Sequence, residues 1–128
     1  MSPPRPGAAG SRRARAVASR DLGRAGEDLA ADWYAARGYA LLDRNWRCAL
    51  GEIDLVCSSG PVLVVCEVKS RSSDRFGVPA EAVGAAKQLR LRRLAARYVS
   101  ERCIHPVRVR FDVASVLAGE VTVLTAAF

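Results

Sequence analysis

The chain has 128 residues, half of them apolar and 26% charged, with 20 lysine and arginine against 13 aspartate and glutamate side chains, a net charge of +7. A chain of this length buries roughly two thirds of its unfolded surface, enough for one domain whose core needs neither disulfides nor a structural metal. No run approaches the ~20 uncharged apolar residues of a bilayer span, and the arginine-rich start lacks the apolar segment of a secretory signal, so a cytoplasmic domain is expected.

Five of the 20 basic side chains and none of the acidic ones fall within residues 1–20, which leaves 15 against 13, or +2, for the remainder. With Pro3, Pro4, Pro6, Gly7 and Gly10 among them, residues 1–18 read as a disordered basic arm suited to non-specific contact with a polyanion, or as a solubilising tail. Residues 19–128 read as a single domain. Its four cysteines, Cys48, Cys57, Cys66 and Cys103, form no C-x-x-C pair, and the one histidine, His105, does not complete a zinc site. Cys57 and Cys66 lie in apolar runs and read as small buried hydrophobes.

In chain order, apolar residues recur at helical spacing from Asp21 to Arg37, and Gly38 stands where a C-cap glycine is expected. Three strands follow, Tyr39 to Arg47, Glu52 to Cys57 and Val62 to Lys69, separated by turn-like segments. Pro79 opens a long helix with Glu81 in its first turn, running to about Arg102. Two strands close the chain, Val107 to Leu117 and Val121 to Ala127. The order is that of an α/β sandwich on one central mixed sheet.

Charges stand where the pattern calls for apolar residues. On a helical wheel Gly23, Ala30, Ala31 and Tyr34 fall within about 60° of Glu27, which places this carboxylate in the buried stripe, where it needs a partner such as a framework arginine or a role in a site. In the second strand a period of two sends Glu52, Asp54 and Val56 to one face and Ile53, Leu55 and Cys57 to the other. The third strand is apolar on both faces until Glu67 and Lys69 appear two apart on one face; a strand end in solvent would also carry them, but five apolar residues before the first charge argue for a central strand. Two carboxylates on neighbouring strands can hold a hard divalent cation such as Mg²⁺, and a lysine beside them can polarise water or steady a phosphoryl transition state. Such a site cleaves phosphodiesters.

Asp54 with Glu67-Val68-Lys69 resembles the PD-(D/E)xK nuclease motif, with Ile53 where the superfamily has its proline. Gly26-Glu27, Gly51-Glu52-Ile53-Asp54-Leu55-Val56, Glu67-Val68-Lys69-Ser70-Arg71 and Lys87-Gln88-Leu89-Arg90-Leu91 are more closely similar to the bacterial YraN family of endonuclease-like proteins. The resemblance spans about Arg20 to Asp112. It implies a restriction-endonuclease-like α-β-β-β-α-β-β fold related to archaeal Holliday junction resolvases, with Glu27, Asp54, Glu67 and Lys69 at the matching active-site positions.

In the second helix Leu91, Leu94, Ala95 and Tyr98 share one face, and Lys87 and Gln88 lie on its borders, within reach of the sheet's charged end. Arg90, Arg93 and Arg97 fall on the opposite arc and, with Arg92 and Arg102, form a basic ridge that tracks phosphates or is simply solvated. The expected activity is a metal-dependent endonuclease acting on branched or structured DNA. Asp54 and Glu67 would ligate Mg²⁺, with Mn²⁺ as substitute; Glu27 would complete the shell or hold a water, Lys69 would activate water, and Glu52 is a spare. A nucleic-acid-binding module without catalysis, or a structural domain with an ion-pair network, are the alternatives. Expected partners are nucleic acid, DNA first, with a homodimer as a further option and no membrane.

Overall fold

The computed structural model describes residues 8–71 and 83–128, with side chains from residue 22 onward. The elements run α1 (Ala8–Ala36), β1 (Ala40–Cys48), β2 (Gly51–Ser59), β3 (Val62–Arg71), α2 (Ala85–Arg102), β4 (Arg108–Leu117) and β5 (Glu120–Leu124). The five strands form one sheet in sequential order, antiparallel except for the parallel pair β3 and β4, which α2 connects. This is the expected α/β architecture with a mixed sheet. No helix among the described residues is long and apolar enough to cross a membrane.

Three boundaries differ from the sequence expectation by more than two residues. The first helix begins at Ala8 rather than Asp21, so it runs through most of the segment read as a disordered arm; alanine and arginine are strong helix formers and no proline falls between Ala8 and Ala36. Residues 1–7 of that arm, and the side chains of Arg12, Arg13, Arg15 and Arg20, lie outside the described residues. The second helix begins at Ala85, with Gly84 extended at its N-cap, whereas the expected opening at Pro79 and Glu81 lies outside the described residues. The last strand stops at Leu124 instead of Ala127, because Ala126 turns with φ 50° and its N–H binds the Asp112 carboxylate.

Each helix covers one face of the sheet. Leu91, Leu94, Ala95 and Tyr98 of α2 pack on Trp46, Ile53, Leu63, Val65 and Phe111, while Ala30 and Tyr34 of α1 pack on Leu55, Cys57, Val64, Cys66 and Ala114. Cys57 and Cys66 are buried, as their apolar surroundings require, and burial pushes the Cys57 thiol up to about 12. The loops obey simple turn chemistry. Gly38 adopts φ 84° and caps α1 through its bond to the Ala35 carbonyl, and Ala118-Gly119, both at positive φ, make the two-residue turn of the β4–β5 hairpin.

One buried acid ties α1 to the sheet. Asp112 accepts hydrogen bonds from Tyr34 Oη at 2.7 Å, from Arg110 Nε at 2.9 Å and Nη2 at 2.8 Å, and from the Ala126 N–H at 3.0 Å. Arg110 also donates to Tyr39 Oη at 3.0 Å, so one guanidinium joins the end of α1 to β4. A second close contact sits where α1 crosses β3: a Cβ on Gly26 would overlap Ser70 Oγ outright and lie 3.2 Å from Ser70 Cβ. Only glycine lets the helix come so near, and the residue that follows it is Glu27.

Arg110→Met, which strands a fully buried carboxylate, is expected to cost about 3–5 kcal/mol in urea unfolding. Gly26→Ala should cost about 1–3 kcal/mol by overpacking. Adding Ser70→Ala should recover part of that loss, and Ser70→Ala alone should be neutral or stabilising, because the buried Ser70 Oγ has no hydrogen-bond partner among the described residues.

Candidate metal centre

The β2–β3 ladder runs only from Ser59↔Val62 to Leu55↔Cys66. Beyond Leu55, β2 stays paired with β1 through Ile53, Glu52 and Gly51 but leaves β3. Asp54 stands at this fork. Its Oδ2 accepts the Val68 N–H of β3 at 2.8 Å, so the carboxylate takes a backbone donor at the place where the neighbouring strand has gone.

The alternation expected for β2 fails at the same point. Ile53 and Val56 pack in the cluster under α2, and Leu55 and Cys57 in the cluster under α1, so Ile53 and Leu55 face opposite ways and a strict period of two is corrected. Asn45, which lies across from Asp54 between the pairs Arg44↔Leu55 and Trp46↔Ile53, is left-handed with φ 52°. Two irregular residues on adjacent strands thus mark one place in the sheet. Asparagine tolerates this conformation better than most residues and is uncommon within strands, which is the sequence signal that would have singled it out.

The acids gather around Asp54. Burial raises its pKa from 3.8 to about 7, with the Glu67 charge the next cause and those of Glu27 and Glu52 further ones, while the Val68 N–H acts the other way. Glu67, on β3, has a side chain only 12% exposed and accepts a hydrogen bond from Lys87 Nζ of α2 at 2.6 Å. Glu27, 13% exposed, accepts from Asn45 Nδ2 at 3.1 Å and lies 3.7 Å from Arg44 Nη2. The arginine expected to neutralise Glu27 therefore exists, but its shorter contact, 2.6 Å, is with Asp28. Glu52 meets Arg47 at 3.5 Å. Lys69 is half-buried and forms no salt bridge among the described residues. A groove of about 360 Å³ lined by Gly23, Arg24, Glu27, Asn45 and Arg47 opens beside these acids.

Among the described residues no three acids, histidines or cysteines stand together as a ready-made metal shell. Glu27 is held by Asn45 and Arg44. The remaining donor set still suits Mg²⁺, which binds through one or two carboxylates, keeps several waters and takes phosphate oxygens. The apolar cleft at the other end of β3, around Val62, Leu63 and Ile104, has no carboxylate in its lining.

The expected phosphate-binding residues divide. Lys87 does reach the sheet's charged end, but Gln88 turns back, its Nε2 donating to the Val83 carbonyl at 2.9 Å. Arg90, Arg93 and Arg97 are exposed on α2. Arg92 instead lies over the Phe111 ring, 4.9 Å from its centroid, and near Phe128, while Arg102 pairs with Asp43 and stacks on Tyr98. Those two arginines serve packing as well as charge.

Because Asp54 ionises less readily in the folded chain, its contribution to stability is full below about pH 3.8 and is lost as pH rises through about 7. Asp54→Asn keeps an acceptor for the Val68 N–H and removes the charge. Its melting temperature in the absence of metal should match the parent's near the acid end of that window and exceed it most above about pH 7. A gain that does not grow with pH would contradict the crowding of carboxylates.

The model of the Uncharacterised protein family UPF0102 matches residues 26–116. That span starts at the close-packed glycine and takes in Glu27, Asp54, Glu67, Lys69 and Lys87. Relatives include a UPF0102 protein of Frankia alni, 58% identical over 92 residues that cover 72% of this chain and 77% of the relative. Another from a Nocardioides species is 51% identical over 104 residues, covering 81% and 84%, and one from Symbiobacterium thermophilum is 50% identical over 101 residues, covering 79% and 86%. The chain belongs to the UPF0102 family, the YraN-like group.

Proposed function

We propose that this protein is a Mg²⁺-dependent endonuclease-like protein that binds and cleaves branched or structured DNA by phosphodiester hydrolysis. The observation that carries the reading is the fork between β2 and β3, where Asp54 accepts the Val68 N–H from the strand that carries Glu67, burial and then the Glu67 charge raise the Asp54 pKa, and Lys69 lies two residues beyond Glu67. Two repelling carboxylates held by the sheet are a site for a cation, and a lysine without a salt bridge among the described residues is available to substrate.

Asp54 and Glu67 would hold the ion, and Asp54 is kept in place by the Val68 N–H. A bound Mg²⁺ supplies stabilisation of charge on phosphate oxygens and lowers the pKa of its water. Lys69 would donate from Nζ to a non-bridging phosphate oxygen or orient the attacking water, whose oxygen bonds to phosphorus as the leaving oxygen departs. Glu27, fixed by Asn45, would hold that water rather than the ion. The exposed Arg90, Arg93 and Arg97 would contact backbone phosphates away from the reacting one.

A binding module without catalysis is the second reading, favoured by the ion pair that already occupies Glu67. A cleavage assay on junction, flap, single-stranded and duplex substrates, with Mg²⁺ and with Mn²⁺, separates the two. The enzyme reading expects cleavage by the parent, and a loss of turnover on the order of 10² to 10⁴ in Lys69→Ala with metal affinity little changed. Failure of the parent to cleave any substrate leaves the binding reading.

A further inference from the structure

Glu67 already has a cation, and it comes from the helix rather than from its own strand. Lys69 stands two residues away on the same strand, yet the partner is Lys87, whose Nζ lies 2.6 Å from Glu67 Oε1. Lys87 is the third residue of α2, in a first turn without acidic residues. The positive end of a helix dipole disfavours a cation there, so the helix itself gives no reason for a lysine at this position. The reason lies across the gap, in a carboxylate that is 12% exposed and needs a counter-charge. The Lys87 side chain is 41% exposed, so its ammonium can leave Glu67 and enter water without unpacking a core.

We propose that Lys87 is the built-in counter-cation of Glu67, that a divalent cation at Asp54 and Glu67 displaces it, and that its freed ammonium then contacts a phosphate of the nucleic-acid substrate. This rests on the metal site of the proposed function. An ion on either oxygen of Glu67 stands close enough to the ammonium for the two cations to repel, so carboxylate sharing is disfavoured. Lys87 and Lys69 thereby divide their roles: the first holds Glu67 in the metal-free protein, and the second stays available to the reacting group. Metal and substrate become linked through Lys87, because the phosphate gains a cationic contact only once the ion has released it.

The test is Mn²⁺ titration by calorimetry, with thermal unfolding alongside, on the parent, Lys87→Met, Lys87→Gln and Lys87→Arg. Loss of a charge-assisted hydrogen bond that competes with the ion should raise Mn²⁺ affinity about tenfold or more in the Met and Gln variants. Lys87→Arg, which keeps the charge, should stay within about threefold of the parent. The Met variant should melt lower than the parent without metal and recover most of that loss when Mn²⁺ is added, a pattern that a merely structural lysine would not give. Junction-DNA binding with inactive Lys69→Ala as background reads the second half: Lys87→Met should make the salt slope shallower by about 0.9 with Mn²⁺ present and leave it unchanged in chelator. Unchanged or weaker Mn²⁺ affinity in both neutral variants, against a parent that binds Mn²⁺, overturns the role of Lys87 and leaves the metal site standing. A parent that binds no Mn²⁺ overturns both. A salt slope that does not depend on metal in the parent-to-Met comparison overturns the hand-over to phosphate.

Discussion

The hydrogen bond from the Val68 N–H to Asp54 Oδ2 holds the forked end of the sheet together. Strand β2 leaves β3 beyond Leu55, and a central strand whose donors lose their partners would carry an unsatisfied backbone group. The Asp54 side chain fills that gap. In doing so it draws a carboxylate into a half-buried position beside Glu67, where two negative charges repel each other. The sheet's own hydrogen bonding therefore places Asp54 where burial, and then the Glu67 charge, raise its pKa.

The surrounding structure answers that strain piece by piece. Lys87 neutralises Glu67 from α2, Asn45 and Arg44 hold Glu27 from β1, and Arg47 meets Glu52. Asp54 accepts a backbone N–H and has no salt bridge among the described residues. Its raised pKa follows from that difference: burial and like charges act on it, opposed by one amide. The contrast with Asp112 is instructive. That carboxylate is more deeply buried, yet four donor bonds, two of them from one guanidinium, satisfy it completely, and it serves as a structural tie between α1 and β4. Two aspartates in one small sheet differ because one is given donors and the other is given acids.

The placement of Glu27 depends on a packing constraint far simpler than its chemistry. Gly26 lets α1 press onto Ser70 of β3, and the next residue is thereby carried to the forked end of the sheet. A larger side chain at Gly26 would meet Ser70 Oγ and force the serine or the helix that carries Glu27 to shift. The pairing of this glycine and glutamate is thus a single device in which the first residue sets the height of the second.

The sequence by itself determined what depends on near neighbours. The order of helices and strands, the buried face of α2 formed by Leu91, Leu94, Ala95 and Tyr98, the buried cysteines, and the presence of Asp54 and Glu67 on adjacent strands all follow from periodicity and turn residues, which act over a few positions. Tertiary structure decided the rest. The switch of faces between Ile53 and Leu55, the choice of Lys87 over Lys69 as the partner of Glu67, the holding of Glu27 by Asn45 and Arg44 and the seating of Arg92 on Phe111 depend on where strands part and which helix lies above them. A local pattern sets which way a side chain faces only while the ladder stays regular. At the fork it does not, and there the partners come from 14 to 20 residues away in the chain, as Asp54 with Val68 and Glu67 with Lys87 show.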